Sequence, residues 1–121
     1  MRDLMEYAEF CMELLDEIYI PYTRPENFTV NTRAKRWGLC SLRGGKYYIQ
    51  INVTLLDERN SDEGLINTII HELLHTCPDS MDHGYRWKYY AYRVQRDLGY
   101  DIKRTSSEED KKDVINYIKN Y

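Results

Sequence analysis

Two histidines and a glutamate at close spacing have the clearest chemical potential in this chain. Residues 71–75 are His-Glu-Leu-Leu-His, which matches the pattern H-E-x-x-H. Residues four positions apart lie on one face of a helix, so His71 and His75 can present two imidazoles to one metal ion. Glu72 flanks that pair as a candidate general base. The pattern therefore predicts a metal site with a carboxylate beside it.

A third imidazole lies shortly after the motif. The chain has only three histidines, and His83 follows His75 by eight residues. Pro78 predicts a turn between them, which can bring His83 back to the same ion. Three other side chains of this loop remain alternative ligands: Cys77, Asp79 and Asp82. Cys77 is awkwardly close to the end of the helix, and Asp82 can equally be the N-cap of the next helix.

The donor set favours zinc in a catalytic role. Three imidazoles leave one position of a tetrahedral zinc ion open, whereas structural zinc sites are closed by four protein ligands. Water in the open position has its pKa lowered to about 7. Glu72 can take the proton of that water and pass it to a leaving amine. These residues therefore predict zinc-dependent hydrolysis.

The motif lies on a helix predicted over residues 61–77, with Asn60 or Ser61 as its cap and Pro78 as its end. The apolar residues of this helix form an arc separate from the histidines: Leu65, Ile66, Ile69, Ile70, Leu73 and Leu74. One side of the motif helix thus faces the core and the other faces the metal.

Apolar periodicity predicts three further helices. They cover 3–18 with Asp3 as N-cap, 83–98 with Gly99 as C-cap, and 107–119 with Ser106 and Glu109 as a capping box.

Alternating residues predict strands between the first two helices. They cover 28–32, 37–42 and 46–53, and Gly44-Gly45 predicts a hairpin that pairs the last two antiparallel. Helix, small antiparallel sheet and further helices make an α+β fold. Five basic residues lie on or beside the hairpin: Arg33, Lys35, Arg36, Arg43 and Lys46. They predict either a patch for DNA or an acidic protein, or simply the protection of a sheet edge by charge.

Composition predicts a single domain over 1–121 in the cytoplasm. The 121 residues are 42% hydrophobic, with 17 basic and 20 acidic residues, as in ordinary globular domains. No apolar run approaches the length of a membrane span, and the acidic start is unlike a signal peptide. Three cysteines without a C-x-x-C pair argue against a disulfide framework and a zinc ribbon.

Several segments together resemble the SprT-like zinc metalloproteases, which include the Spartan group and the related YgjP-type proteins. The metal segment, from His71 through His83-Gly84-Tyr85-Arg86-Trp87, is similar to the family pattern of H-E-x-x-H, a short loop and H-G-x-x-W. Residues 31–40 and 49–52 resemble the segments that precede it in that family. The resemblance covers about residues 3–105, and the combined spacing is more specific than H-E-x-x-H alone.

The resemblance implies a minimal zincin-like domain in which His71, His75 and His83 bind zinc and Glu72 is the catalytic base. Spartan-type members act on proteins crosslinked to DNA, which would give the basic hairpin a partner. Many members continue into a cysteine zinc ribbon, which this chain lacks. The alternative is a zinc-containing module that binds DNA or protein without cleaving it. For an enzyme, we expect a flexible protein segment to add as a strand along Lys46 to Val53, with broad specificity.

Overall fold

The structure is a computed structural model that describes residues 1–33 and 35–103. In chain order the elements are α1 (Leu4–Glu17), β1 (Asn27–Asn31), β2 (Gly38–Arg43), β3 (Lys46–Asn52), a short 3-10 helix (Val53–Leu56), α2 (Glu63–Leu74) and α3 (Tyr85–Leu98). The α+β class is confirmed. The helix predicted over 107–119 lies outside the described residues. In the described part of the chain, no helix is long and apolar enough to cross a membrane.

The sheet has three strands in the order β1-β3-β2. β2 and β3 form the predicted antiparallel hairpin, in which Arg43 faces Lys46 across the turn. Both turn glycines have positive φ, 57° at Gly44 and 76° at Gly45, which only glycine adopts without strain. β1, however, pairs with β3 in the parallel direction. The expected purely antiparallel sheet is therefore wrong, because alternation indicates a half-buried strand but not its partner or its direction.

The strand order has two consequences for the site. β3 is central, so the expectation that a substrate strand adds along Lys46 to Val53 is wrong, because both edges of β3 are already paired. The chain between β1 and β2 also has to pass the end of β3. Residues of that connection bond to Asn52, whose backbone N–H donates to Trp37 O at 2.8 Å and whose Nδ2 donates to Arg36 O at 3.2 Å.

α2 lies at the centre of the core. It contacts α1, α3, β2 and β3, and its aliphatic residues are almost fully buried. Burying each such side chain stabilises the fold by about 1.5–3 kcal/mol. His71 and Glu72 therefore lie on a helix that is packed on several sides by the core.

The helix ends follow the predictions in part. Asp3 caps α1 by accepting from Met5 N at 2.9 Å and Glu6 N at 3.3 Å, and Gly99 ends α3 with φ of 81°. α2 differs, because its N-cap position is Asp62 and carries no side-chain cap bond. The predicted cap at Asn60 or Ser61 is wrong because Asn60 belongs to a preceding turn, where its N–H donates to Asp57 O at 3.4 Å.

Candidate metal centre

The last turn of α2 brings His71 and His75 to one face, as their spacing predicts. Regular helix ends at Leu74, and His75 keeps helical backbone angles of −66° and −18° as the C-cap. Tighter bonds extend the turn, from Thr76 N to Leu73 O at 2.9 Å and from Cys77 N to Leu74 O at 3.2 Å. The two imidazoles thus keep helical spacing although the helix ends three residues short of its predicted end at Cys77.

The loop after α2 returns His83 to this pair. The Nε2 atoms of His83 and His71 are 2.9 Å apart, and one ligand atom from each of the three histidines lies within 4.8 Å of the others. Around tetrahedral zinc with bonds of about 2.0–2.1 Å, nitrogen atoms lie about 3.3 Å apart. In the described ranges, 1–33 and 35–103, this is the one cluster of three histidine, cysteine or acidic side chains that could hold a metal ion.

Backbone carbonyls orient two of the three rings. His71 Nδ1 is 2.8 Å from Lys103 O, and His75 Nδ1 is 2.7 Å from Ser80 O. A carbonyl oxygen can only accept a hydrogen bond, so each Nδ1 carries the proton and each Nε2 is left with a lone pair. Metal-binding histidines are commonly oriented in this way. Sequence reasoning did not find these partners, since neither backbone carbonyl leaves a residue-type signal.

Burial favours the neutral imidazoles that a metal requires. Desolvation, reinforced by the neighbouring histidines, lowers the pKa of His71 to about 3. Desolvation also lowers the pKa of His75. The chain therefore offers unprotonated donors at neutral pH, which suits a divalent cation of zinc's preference.

Trp87 packs against all three imidazoles. Its ring centroid lies 4.8 Å from that of His71, 5.9 Å from that of His75 and 4.7 Å from that of His83. Its Nε1 donates to His71 O at 3.3 Å. Helical periodicity indicated only a core position for Trp87, and its spacing from His83 gave no further signal because His83 lies before the first residue of α3.

Glu72 is almost fully buried beside the cluster. Its side chain approaches the histidines, with Oε2 at 4.0 Å from His71 Nε2, and the residue is 6% exposed. Burial raises the pKa of Glu72 to about 8, and the positive charge of Arg36 opposes that rise. A carboxylate in these surroundings is a strong enough base to accept a proton near neutral pH.

The position of Glu72 depends on Gly38, which sequence reasoning missed. A Cβ on Gly38 would lie 2.8 Å from Glu72 Oε2 and 2.9 Å from Thr68 Cγ2. Such contacts are too short for any side chain, so β2 can approach α2 this closely only with a glycine. A glycine that opens an otherwise alternating strand was the available signal, because it often marks a close approach.

The structure separates the alternative ligands from the cluster. Cys77 is buried at 1% exposure, and desolvation raises the pKa of its thiol to about 12, which disfavours a thiolate ligand. Asp79 is exposed and lies 3.9 Å from Arg86. Asp82 accepts from Gly84 N at 3.0 Å, and Gly84 rather than Asp82 is the N-cap of α3. None of the three belongs to the cluster in the described part of the chain.

The five basic residues fall into two groups at opposite ends of β2. Three of them lie in the connection before β2, in which Arg36 O accepts a hydrogen bond from Asn52: Arg33, Lys35 and Arg36. Arg43 and Lys46 flank the hairpin turn at the other end of β2. The two ends of β2 are about 17 Å apart, because five residues of extended chain span that distance. At the turn, Arg43 stacks on the Tyr48 ring at 4.3 Å, and Lys46 lies 3.9 Å from Glu26. The hairpin therefore does not present them as one patch.

Comparison with known families gives one match. The model of the SprT-like family matches residues 8–108, a range that includes the three histidines, Glu72, Gly38 and Trp87. The comparisons with curated proteins and with solved structures gave no match. The suspected family is thus confirmed over most of the chain.

Proposed function

Because the chain belongs to the SprT-like family, we propose that it is a zinc-dependent metallopeptidase. The observation that carries the proposal is the buried carboxylate of Glu72, whose Oε2 lies 4.0 Å from Nε2 of His71 in the three-histidine cluster. A site that only binds metal has no need of a buried acid at that distance. Burying it without a chemical role would be costly.

His71, His75 and His83 would hold the ion. Their fit is supported by the short nitrogen separations and by the carbonyls that leave the Nε2 lone pairs available. When bound, zinc polarises a carbonyl oxygen and lowers the pKa of water at the site. With three protein donors, one position remains for water or substrate.

Glu72 would move the proton. Its carboxylate accepts a proton from the attacking water and then delivers it to the nitrogen of the leaving amine. Burial favours the protonated acid, which helps delivery, and the charge of Arg36 favours the carboxylate, which helps acceptance. The two influences keep the group able to exchange a proton near neutral pH.

The outer edge of β2 is the proposed place for the substrate. β2 is an edge strand of the sheet, and its first residue, Gly38, touches Glu72. An extended peptide that adds to this edge gains main-chain hydrogen bonds with little dependence on sequence. We therefore infer that flexible or unfolded protein segments are cleaved with broad specificity.

Two alternatives to an enzyme predict different results, one for the metal ligands and one for the loss of Glu72. A structural zinc domain would need a fourth protein ligand, and Cys77 is the one the sequence suggested. In the described part of the chain, Cys77 lies outside the cluster of possible ligands, which does not support that role. A module that binds DNA or protein without cleavage would be indifferent to the loss of Glu72, so substitution of this residue separates it from an enzyme.

A DNA-associated role in the cytoplasm is a further part of the proposal. It is supported by three exposed cations before β2, namely Arg33, Lys35 and Arg36, and by three buried free cysteines, as expected in a reducing compartment. Cleavage of a flexible protein should then rise with single-stranded DNA, and the stimulation should fade with salt. Equal rates with and without DNA at low and high salt would remove DNA from the proposal.

The test of the proposed function is the variant Glu72→Gln, assayed with an unfolded protein substrate. The amide keeps the shape of the side chain and loses the base, so we expect zinc content to persist and hydrolysis to fall by about 10²–10⁴-fold. Unchanged turnover would contradict the proposed mechanism. No zinc-dependent turnover by the unsubstituted protein on any unfolded substrate would contradict the enzyme itself.

A further inference from the structure

The connection between β1 and β2 reaches the mouth of the candidate site. Asn52, which is 5% exposed, holds this connection through Nδ2 to Arg36 O at 3.2 Å and through its own N–H to Trp37 O at 2.8 Å. The side chain of Asn52 is itself fixed, because its Oδ1 accepts from Thr54 N at 2.9 Å. Two residues after Arg36, the chain meets Glu72 at Gly38. The backbone of Arg36 is therefore anchored beside the catalytic carboxylate.

This side of the site is positively charged. The chain contains no acidic residue from Asn27 to Lys46. Arg33, Lys35 and Arg36 are exposed, and within the described residues no salt bridge engages them. Arg36 is also a charged group whose field acts on Glu72, where it lowers the pKa.

The loop that follows the histidine pair carries acids. Asp79 and Asp82 are exposed in the loop between α2 and α3, and the charge of Asp82 acts on His75. The connection that carries Arg36 thus acts on Glu72, whereas the acidic loop acts on His75 and has a cation of its own, Arg86, 3.9 Å from Asp79. The net positive charge is therefore on the connection before β2.

We propose that Arg36 is a specificity-determining residue that selects peptides with an acidic side chain beside the scissile bond. The inference rests on the proposed function and narrows its substrate class. A guanidinium binds a carboxylate through paired N–H donors. A cation beside the reacting carboxylate also offsets the repulsion that Glu72 would exert on an acidic substrate.

A phosphate chain is the other occupant that these charges would attract. The structure favours the peptide, because Arg36 lies two residues from the contact with Glu72, where the scissile segment has to lie. Arg43 and Lys46, which a longer polyanion would also need, lie about 17 Å away.

The test uses quenched fluorescent peptides with a neutral, flexible sequence. The residues on either side of the cleaved bond are replaced one at a time by Asp, Asn or Lys. At one of these positions we expect kcat/KM for Asp to exceed that for Lys by about three- to tenfold. The preference should shrink as ionic strength rises from about 0.05 M to about 0.5 M, since the cation is exposed.

Charge reversal at Arg36 provides the decisive variant. Arg36→Glu should invert the ratio at that same position, and Arg36→Gln should bring it close to one. The matched control is Arg43→Glu, the same change at the far end of β2, which should keep the ratio of the unsubstituted protein. Ratios are compared within each variant, so a general loss of activity cancels. Binding of uncleaved peptides to Glu72→Gln, with and without Arg36→Glu, gives the same comparison if a variant turns over too slowly.

The outcomes separate this inference from the proposed function. Cleavage without any position that prefers Asp to Lys, or the same ratio in Arg36→Glu, would overturn the role of Arg36 alone. Preferential binding of single-stranded DNA that Arg36→Glu abolishes, without a preference for Asp, would overturn it in favour of a nucleic acid. Absence of cleavage of every peptide by the zinc-loaded protein would contradict the proposed function instead.

Discussion

The two sides of the candidate site are built from different parts of the fold. On the histidine side, α2 and the following loop contribute the imidazoles, two of which are oriented by backbone carbonyls, and α3 contributes Trp87, which packs against them. On the glutamate side, Glu72 is set by the close approach of β2 at Gly38 and by the connection that carries Arg36. The comparison teaches that the histidines and Glu72 are positioned by separate contacts, so the proposed roles of holding the metal and moving the proton should be separable by substitution.

The largest effect is expected on the histidine side, from His83→Ala. Removing one of three donors should weaken zinc binding by more than the 10- to 100-fold typical of an outer-shell change, and activity should fall with it. Zinc titration and peptidase assay on the same sample measure both. The control is Cys77→Ala, which should keep the metal. If Cys77→Ala loses zinc and His83→Ala retains it, the two assignments must be exchanged.

The next effect is expected on the glutamate side, from Gly38→Ala. The new Cβ would lie 2.8 Å from Glu72 Oε2, so the carboxylate has to move. Displacement of a catalytic group by about 1 Å can cost about 10²-fold in rate. We expect kcat to fall by that order while zinc affinity stays within a few-fold of the original. An equal loss of zinc would show that the two sides are not separable.

A smaller effect is expected from Trp87→Phe. The change keeps an aromatic ring against the three imidazoles and removes the donor to His71 O. Loss of a partner bonded to a ligand ring typically costs 10- to 100-fold in metal affinity. Trp87 instead donates to the backbone carbonyl of His71 through a long bond of 3.3 Å, so we expect a loss of about tenfold or less. Competition with a chelator of known affinity measures it. At saturating zinc, kcat should recover, and failure to recover would place Trp87 in the proton-transfer machinery as well.

The smallest effect is expected on the free energy of unfolding of the metal-free chain, measured as a function of pH. Glu72 has a pKa of 4.5 unfolded and about 8 folded, so its contribution to stability is full below pH 4.5 and is lost as pH rises toward 8. The pKa shift of His71 makes the stability of the chain change with pH in the opposite direction. Its pKa falls from 6.5 to about 3, so the chain loses stability as pH falls through that window.

Glu72→Gln removes only the first of these dependences. We therefore compare the free energies of unfolding of the variant and of the unsubstituted chain. The value for the variant minus the value for the unsubstituted chain should increase between pH 5 and pH 8, by up to about 1.4 kcal/mol per pH unit. Urea unfolding in the presence of a chelator measures this difference. Parallel stability curves for the two proteins would show that Glu72 is not buried as a protonated acid.

Local patterns were readable in the sequence. The spacing of His71 and His75, the hairpin at Gly44-Gly45 and the end of α3 at Gly99 each depend on residues within one turn, and the structure has all of them. Contacts between distant segments were not readable. The parallel pairing of β1 with β3 and the bond from His71 to Lys103 O, 32 residues away, need the assembled core.

The central claim is that three imidazoles, and no other protein group, hold the metal. X-ray absorption spectroscopy of the zinc-loaded protein tests it most directly. The account predicts three imidazole nitrogens and one oxygen, with no sulfur in the first shell. A sulfur scatterer at about 2.3 Å would contradict it, because it would mean that Cys77 closes the site and leaves no position for catalysis.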